Sequence, residues 1–139
     1  MVDRALVAGK IATVRDATAR VRSVLPASVD EFARDRTARE IVVLNLFVAI
    51  QTALDLATHW LADAGRDVPA TYSDVFSALV AHGVVPDELG DRLSSASGFR
   101  HLVAHQYAAL DWTRVYAIAS SGLEDLEAFC AVLAQQAGG

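Results

Sequence analysis

The sequence predicts an all-α fold, an antiparallel bundle of four to five helices. Apolar residues recur at helical spacing nearly everywhere, and no stretch shows the strict alternation of a half-buried strand. Capping and stop residues divide the chain into helix-length pieces joined by short loops. The 139 residues are 53% hydrophobic with only three prolines, which excludes disorder and suits one domain over residues 1–139 with a core of its own.

The elements follow in order. Val7, Ile11, Val14, Val21 and Leu25 form a stripe behind Asp3, an N-cap candidate, and Pro26 closes that helix. Ser28-Val29-Asp30-Glu31 has capping-box spacing, predicting a long second helix from Val29 to Ala64 that stops at Gly65. A third helix starts near Thr71, turns Val75, Phe76, Leu79 and Val80 inward and ends at Gly83. Pro86 suits the first position of a fourth, with Asp87 and Glu88 set well for the helix dipole, continuing through Leu89, Leu93 and Phe99 to near His105. Asp111 caps the last helix, whose stripe is Val115, Ile118, Leu126, Phe129 and Leu133.

The stretch Ile41–Ile50, IVVLNLFVAI, is apolar on every face except at Asn45. A surface helix needs one apolar stripe, so this one requires cover on several sides, and a second copy of the chain is the simplest source. A homodimer is therefore expected. The wider segment from Ile41 to Ala62 is interrupted by Asn45, Gln51, Asp55 and His59, which argues against a membrane span. With no export signal at the start, the protein reads as soluble and cytoplasmic.

The single cysteine, Cys130, excludes an internal disulfide and sits in an apolar pattern beside Phe129, as a buried hydrophobe would. A net charge of −5 argues against coating long stretches of nucleic acid by charge alone. That charge is uneven. Residues 1–40 hold eight of the twelve Lys and Arg residues, a basic region suited to gripping a few phosphates near a cleft.

Glu-x-x-His, His-Glu-x-x-His, Gly-x-Ser-x-Gly, Gly-rich phosphate loops and the calcium loop are all absent from the sequence. His59 and His82 stand alone. The remaining signal is GFRHLVAHQY, residues 98–107, which gathers Arg100, His101, His105 and Tyr107. It offers a bidentate phosphate binder, a proton shuttle and a phenol, the parts for phosphodiester cleavage with neither metal nor cofactor. Arg100 and Tyr107 share one face of an ideal helix, whereas His105 lies about 140° from Arg100 around the axis. Either the helix ends before His105 or a second subunit completes the site. Two other readings stand beside this one: zinc held by His101 and His105 at i and i+4, with no third ligand evident, and purely structural roles for Arg100 and Tyr107.

The spacing Arg100, polar His101, three further residues, then His105 resembles the HEPN superfamily signature, and Tyr107 resembles the ending of its HepT-like branch. Further matches are Phe32 with Asp35, Asn45-Leu46, Ala49-Ile50, Pro69, Tyr72, the Gly83-Val84-Val85-Pro86 turn and Gly98-Phe99. The resemblance implies a toxin-like, metal-independent ribonuclease whose two motifs line a cleft shared in a dimer. His105 would be general acid or base, Arg100 would bind the scissile phosphate, and His101 would support them. Tyr107 would position the phosphate or accept AMP from a cognate minimal nucleotidyltransferase antitoxin. The alternative it leaves is a non-catalytic module that serves as that enzyme's substrate or subunit.

Overall fold

A computed structural model describes residues 2–138, and no strand occurs among them. Helix α1 (Arg4–Val24) begins as expected, with the Asp3 carboxylate accepting from the amides of Ala5 and Leu6. It buries Val7, Ile11, Val14 and Val21. Helix α2 (Val29–Arg34) is capped by Ser28, whose hydroxyl accepts from the Glu31 amide.

The long second helix is not continuous. Asp35 leaves the helical region at φ −107° and ψ 90° and caps a new helix, α3 (Arg36–Asp63), by accepting from the Ala38 amide. A short carboxylate that can satisfy orphan amides competes with helix continuation, and here it wins. The break turns α2 so that Phe32 packs against Trp112 and Tyr116, with ring centroids 6.1 and 5.5 Å apart.

The third predicted helix opens as a single 3-10 turn, Tyr72–Asp74, before α4 (Val75–Ala81). Both long loops start from glycine: Gly65 and Gly83 adopt φ +73° and +74°. Arg66 N–H then returns to Leu61 O and Val84 N–H to Leu79 O, each at 2.9 Å, satisfying the last carbonyls of α3 and α4. Pro86 stands at the N-cap, one position earlier than expected, and α5 (Asp87–His105) follows.

The last predicted helix is also divided. Asp111 caps α6 (Trp112–Ala117), accepting from the Thr113 amide, and a π turn at Ile118–Gly122 separates it from α7 (Leu123–Gly138). The wider turn shifts the register of the stripe. Val115, Leu126, Phe129 and Leu133 are buried, whereas Ile118 is only half-buried.

Helix α3 is the centre of the bundle and packs on α1, α2, α4, α5 and α7. Among the described residues it is the one helix long and apolar enough to cross a membrane, but 56% of that apolar window is buried inside the protein. Helices α4 and α5 meet at Gly90, where an added Cβ would sit well inside contact distance of Val80 Cγ2. Alanine there gains about 1 kcal/mol of helix propensity, yet overpacking a well-filled contact costs about 1–3 kcal/mol. Gly90→Ala is therefore expected to lower the urea midpoint, and an unchanged or higher midpoint would contradict this contact.

Cys130 is fully buried, and burial raises its thiol pKa to about 11. Its ionisation is thus disfavoured in the native state relative to the unfolded chain, so stability is retained at neutral pH and falls once the pH exceeds the unfolded thiol's value. The native protein is expected to leave an aromatic disulfide reagent unconsumed at pH 8 while the urea-unfolded protein consumes one equivalent.

Candidate functional site

Arg100, His101 and His105 occupy the last two turns of α5. Phe99, fully packed in the core, fixes the roll of this helix so that Arg100 meets α3 and His101 is exposed. Arg100 Nε donates to Gln51 Oε1 on α3 at 2.6 Å. Its guanidinium lies over the Tyr72 ring at 4.9 Å and near the Phe47 ring at 5.8 Å. Gln51 Nε2 donates in turn to Asp55 Oδ1 at 3.0 Å and to the Tyr72 hydroxyl at 3.3 Å.

An open cleft of about 480 Å³ lies beside this arrangement. Thr71, Tyr72 and Ser73 form one wall, and Ser97, Gly98, Arg100, His101 and Leu102 form the other. Sequence reasoning passed over Gln51 as a site residue. The available signal was the i, i+4 series Gln51, Asp55 and His59 cutting an otherwise apolar helix.

The helix does not end before His105, one of the two arrangements left open; it ends on it, and Gln106 breaks away at φ −140° and ψ 45°. His101 and His105 consequently lie one turn apart, ring centroids 4.5 Å apart and ring planes tilted by 46°, both exposed. No group of three or more His, Cys, Asp or Glu side chains suited to a metal occurs among the described residues. Within one chain, Arg100 turns toward Gln51 and Tyr72, while the two histidines pair with each other.

Tyr107 departs from the ideal-helix picture. It lies in a 3-10 turn, Tyr107–Ala109, beyond the end of α5, and so leaves the Arg100 face. Its ring, 45% exposed, meets the Trp112 ring edge-on at 6.3 Å. Trp112 also carries the Arg39 guanidinium at 5.1 Å. Arg36 is close by: its pKa is raised chiefly by the hydrogen bond to Glu40, with Tyr107 among the smaller causes. The basic first forty residues thus divide. Arg36 and Arg39 reach the neighbourhood of Tyr107, whereas the basic residues of α1 ride on a helix packed mainly against α3 and α7.

A second, apolar groove of about 310 Å³ lies between the Tyr107 turn and α3. Glu40, Val43, Leu44 and Phe47 line it on one side and Val103, Ala104 and Tyr107 on the other. Leu44 in this groove is 61% exposed, so the apolar excess of Ile41–Ile50 is only partly covered by the chain itself. Phe47 connects the two surfaces, because it also touches Arg100.

The fold recurs in known proteins. The chain is 27% identical over 128 residues to the mRNA nuclease HepT of Shewanella oneidensis, covering 92% of this chain and 96% of that protein. It superimposes on the tri-AMPylated Shewanella oneidensis HEPN toxin, solved in complex with MNT antitoxin, with a TM-score of 0.85 and 28% identity over 96% of this chain and 98% of the toxin. A toxin–antitoxin structure with AMP-PNP matches equally well, with a TM-score of 0.85 and 26% identity over 92% and 96% of the two chains. YutE, a cytosolic protein from Bacillus subtilis, shares the fold at a TM-score of 0.85 and 18% identity, covering 97% of this chain and 90% of YutE. The match to the family described as Ribonuclease HepT-like runs from residue 14 to 133 and takes in α3, the cleft and the whole Arg100–Tyr107 motif. The chain is a member of that HepT-like, HEPN-fold family.

Proposed function

We propose that this chain is the toxin of a toxin–antitoxin pair, a metal-independent endoribonuclease that cleaves RNA in the cytoplasm. The observation that carries the reading is Arg100: fixed through Nε in the wall of an open cleft, it makes no other hydrogen bond among the described residues. Its two Nη groups are thereby left to grip a phosphate in fork geometry.

In the reaction the nucleophile is the substrate's own 2′-hydroxyl, so no metal-bound water is required. His105 takes the 2′-hydroxyl proton, the 2′-oxygen bonds to phosphorus, and the bond to the 5′-oxygen breaks. That oxygen leaves with a proton supplied by an imidazolium, and a 2′,3′-cyclic phosphate remains. Arg100 stabilises the charge that grows on the phosphoryl oxygens. His101, whose ring centroid lies 4.5 Å from that of His105, supports its orientation.

One chain turns Arg100 and His105 to different flanks of α5, so the proposed unit is a homodimer that closes over the Leu44 groove and brings the two motifs to one cleft. The continuous core shared by the described helices supports reading residues 1–139 as one HEPN-type domain. Incubating RNA in EDTA with the wild type and with Arg100→Ala tests the activity. Motif-dependent cleavage is expected; equal cleavage by both proteins would reduce the activity to contamination.

A second role is favoured by the exposure of Tyr107 on its own turn beside Arg36. A cognate minimal nucleotidyltransferase would neutralise the toxin by transferring AMP from ATP. The Tyr107 oxygen bonds to the α-phosphorus, pyrophosphate leaves, and the phenol proton passes to solvent. The added anion would obstruct RNA by bulk and repulsion. Co-expression with a minimal nucleotidyltransferase should add AMP mass to the intact chain, and Tyr107→Phe should abolish the addition. An unchanged mass spectrum, with no complex recovered, would sink this role.

A further inference from the structure

We propose that Gln51, braced by Asp55, is a positioning residue that sets the plane of the Arg100 guanidinium, with Tyr72 as its back wall. The catalytic consequence rests on the ribonuclease reading; the geometry does not. Three bonds define the relay: Arg100 Nε to Gln51 Oε1 at 2.6 Å, Gln51 Nε2 to Asp55 Oδ1 at 3.0 Å, and Gln51 Nε2 to the Tyr72 hydroxyl at 3.3 Å.

Donors and acceptors alternate along this chain in one way only. A flipped Gln51 amide would set its NH2 against Arg100 Nε–H and its oxygen against the Asp55 carboxylate, two repulsions in place of two bonds. Asp55 therefore fixes the amide, and the amide fixes the arginine. Gln51 is itself held on the central helix between buried neighbours, Ile50 and Thr52. Tyr72 closes the last freedom, because the guanidinium rests on its ring face at 4.9 Å.

A neutral amide suits this position. It anchors Nε without cancelling the positive charge, which stays available to a phosphate. An arginine with many rotamers would otherwise have to be ordered in the transition state itself. Both Nη groups are left beside the cleft between Tyr72 and His101.

The test uses the full chain with Gln51→Ala and with the paired substitution Gln51→Glu plus Asp55→Asn. The pair reverses the lower bond while keeping an acceptor for Nε. For RNA cleavage in EDTA, Gln51→Ala is expected to lower kcat about tenfold or more with KM within about twofold, and the paired variant, which sets a carboxylate against the guanidinium, to stay below the wild type. In parallel, NMR follows hydrogen exchange at Arg100 Nε–H, identified by its disappearance in Arg100→Lys. Protection is expected in the wild type and in the paired variant but not in Gln51→Ala, all three with the same circular dichroism.

An unprotected Nε–H in the wild type overturns the proposal. So does a Gln51→Ala protein that cleaves RNA with unaltered kcat, or a paired variant whose Arg100 Nε–H exchanges as freely as in Gln51→Ala. If the wild type cleaves no RNA in an Arg100-dependent way, the ribonuclease reading fails alone, and the exchange measurement still decides whether Gln51 holds the arginine.

Discussion

Replacing His105 with alanine is expected to lower RNA cleavage in EDTA by about 10²–10⁴-fold, the usual worth of a positioned proton-transfer group. The effect should fall on kcat. His105 is exposed at the end of α5 and supports no part of the core, so the variant should melt with the wild type. Arg100→Ala should cost about 10²–10³-fold through lost stabilisation of the phosphoryl charge. Arg100→Lys should rescue little of it, because an ammonium can neither donate through Nε to Gln51 nor present a fork to the phosphate. Initial rates on a short RNA, read with circular dichroism on the same samples, check both. A His105→Ala protein that keeps wild-type kcat would remove His105 from the chemistry.

Leu44→Arg is expected to dissociate the proposed dimer and to take cleavage with it. Leu44 is 61% exposed in a groove whose other side is Val103, Ala104 and Tyr107, beside the motif. A standard interface covers about 800 Å² per partner, roughly a tenth of this chain's 7297 Å² surface, and its energy concentrates in a few central side chains. A guanidinium buried there without a partner across the interface should weaken association about 100-fold or more. In the separated monomer the arginine stands in water on an exposed face of α3, so the fold itself is not threatened. Sedimentation at micromolar concentration checks the assembly, and rates at the same concentration check the activity. A wild type that sediments as a monomer while cleaving RNA would overturn the shared cleft.

Much of the fold was legible because it depends on neighbours in sequence. The start of α1 at Asp3, the glycine stops at Gly65 and Gly83 and the cap at Asp111 are each determined within one turn of helix. The missed breaks have a different origin. Asp35 can sit inside a helix or end one, and it ends one because turning α2 lets Phe32 reach Trp112 and Tyr116, residues far along the chain. The π turn at Ile118–Gly122 is more local: the Ser120 and Ser121 hydroxyls donate back to the Tyr116 and Ala117 carbonyls, and Gly122 ends the turn.

The candidate site divides along the same line. Two of the four histidines and one of the three tyrosines fall with Arg100 inside eight positions of an alanine- and valine-rich chain, so spacing alone marks a candidate site. Their orientations required the tertiary structure. Where α5 stops determines that the His105 ring leans against that of His101 and that Tyr107 swings onto Trp112. What holds Arg100 lies 49 residues away on α3. By itself, the sequence determined the helical class, most of the caps and the motif, because periodicity and capping act over a few residues. Only the tertiary structure decided which flank each motif side chain occupies, what braces the arginine and which part of α3 stays uncovered, because those follow from contacts between helices distant in the chain.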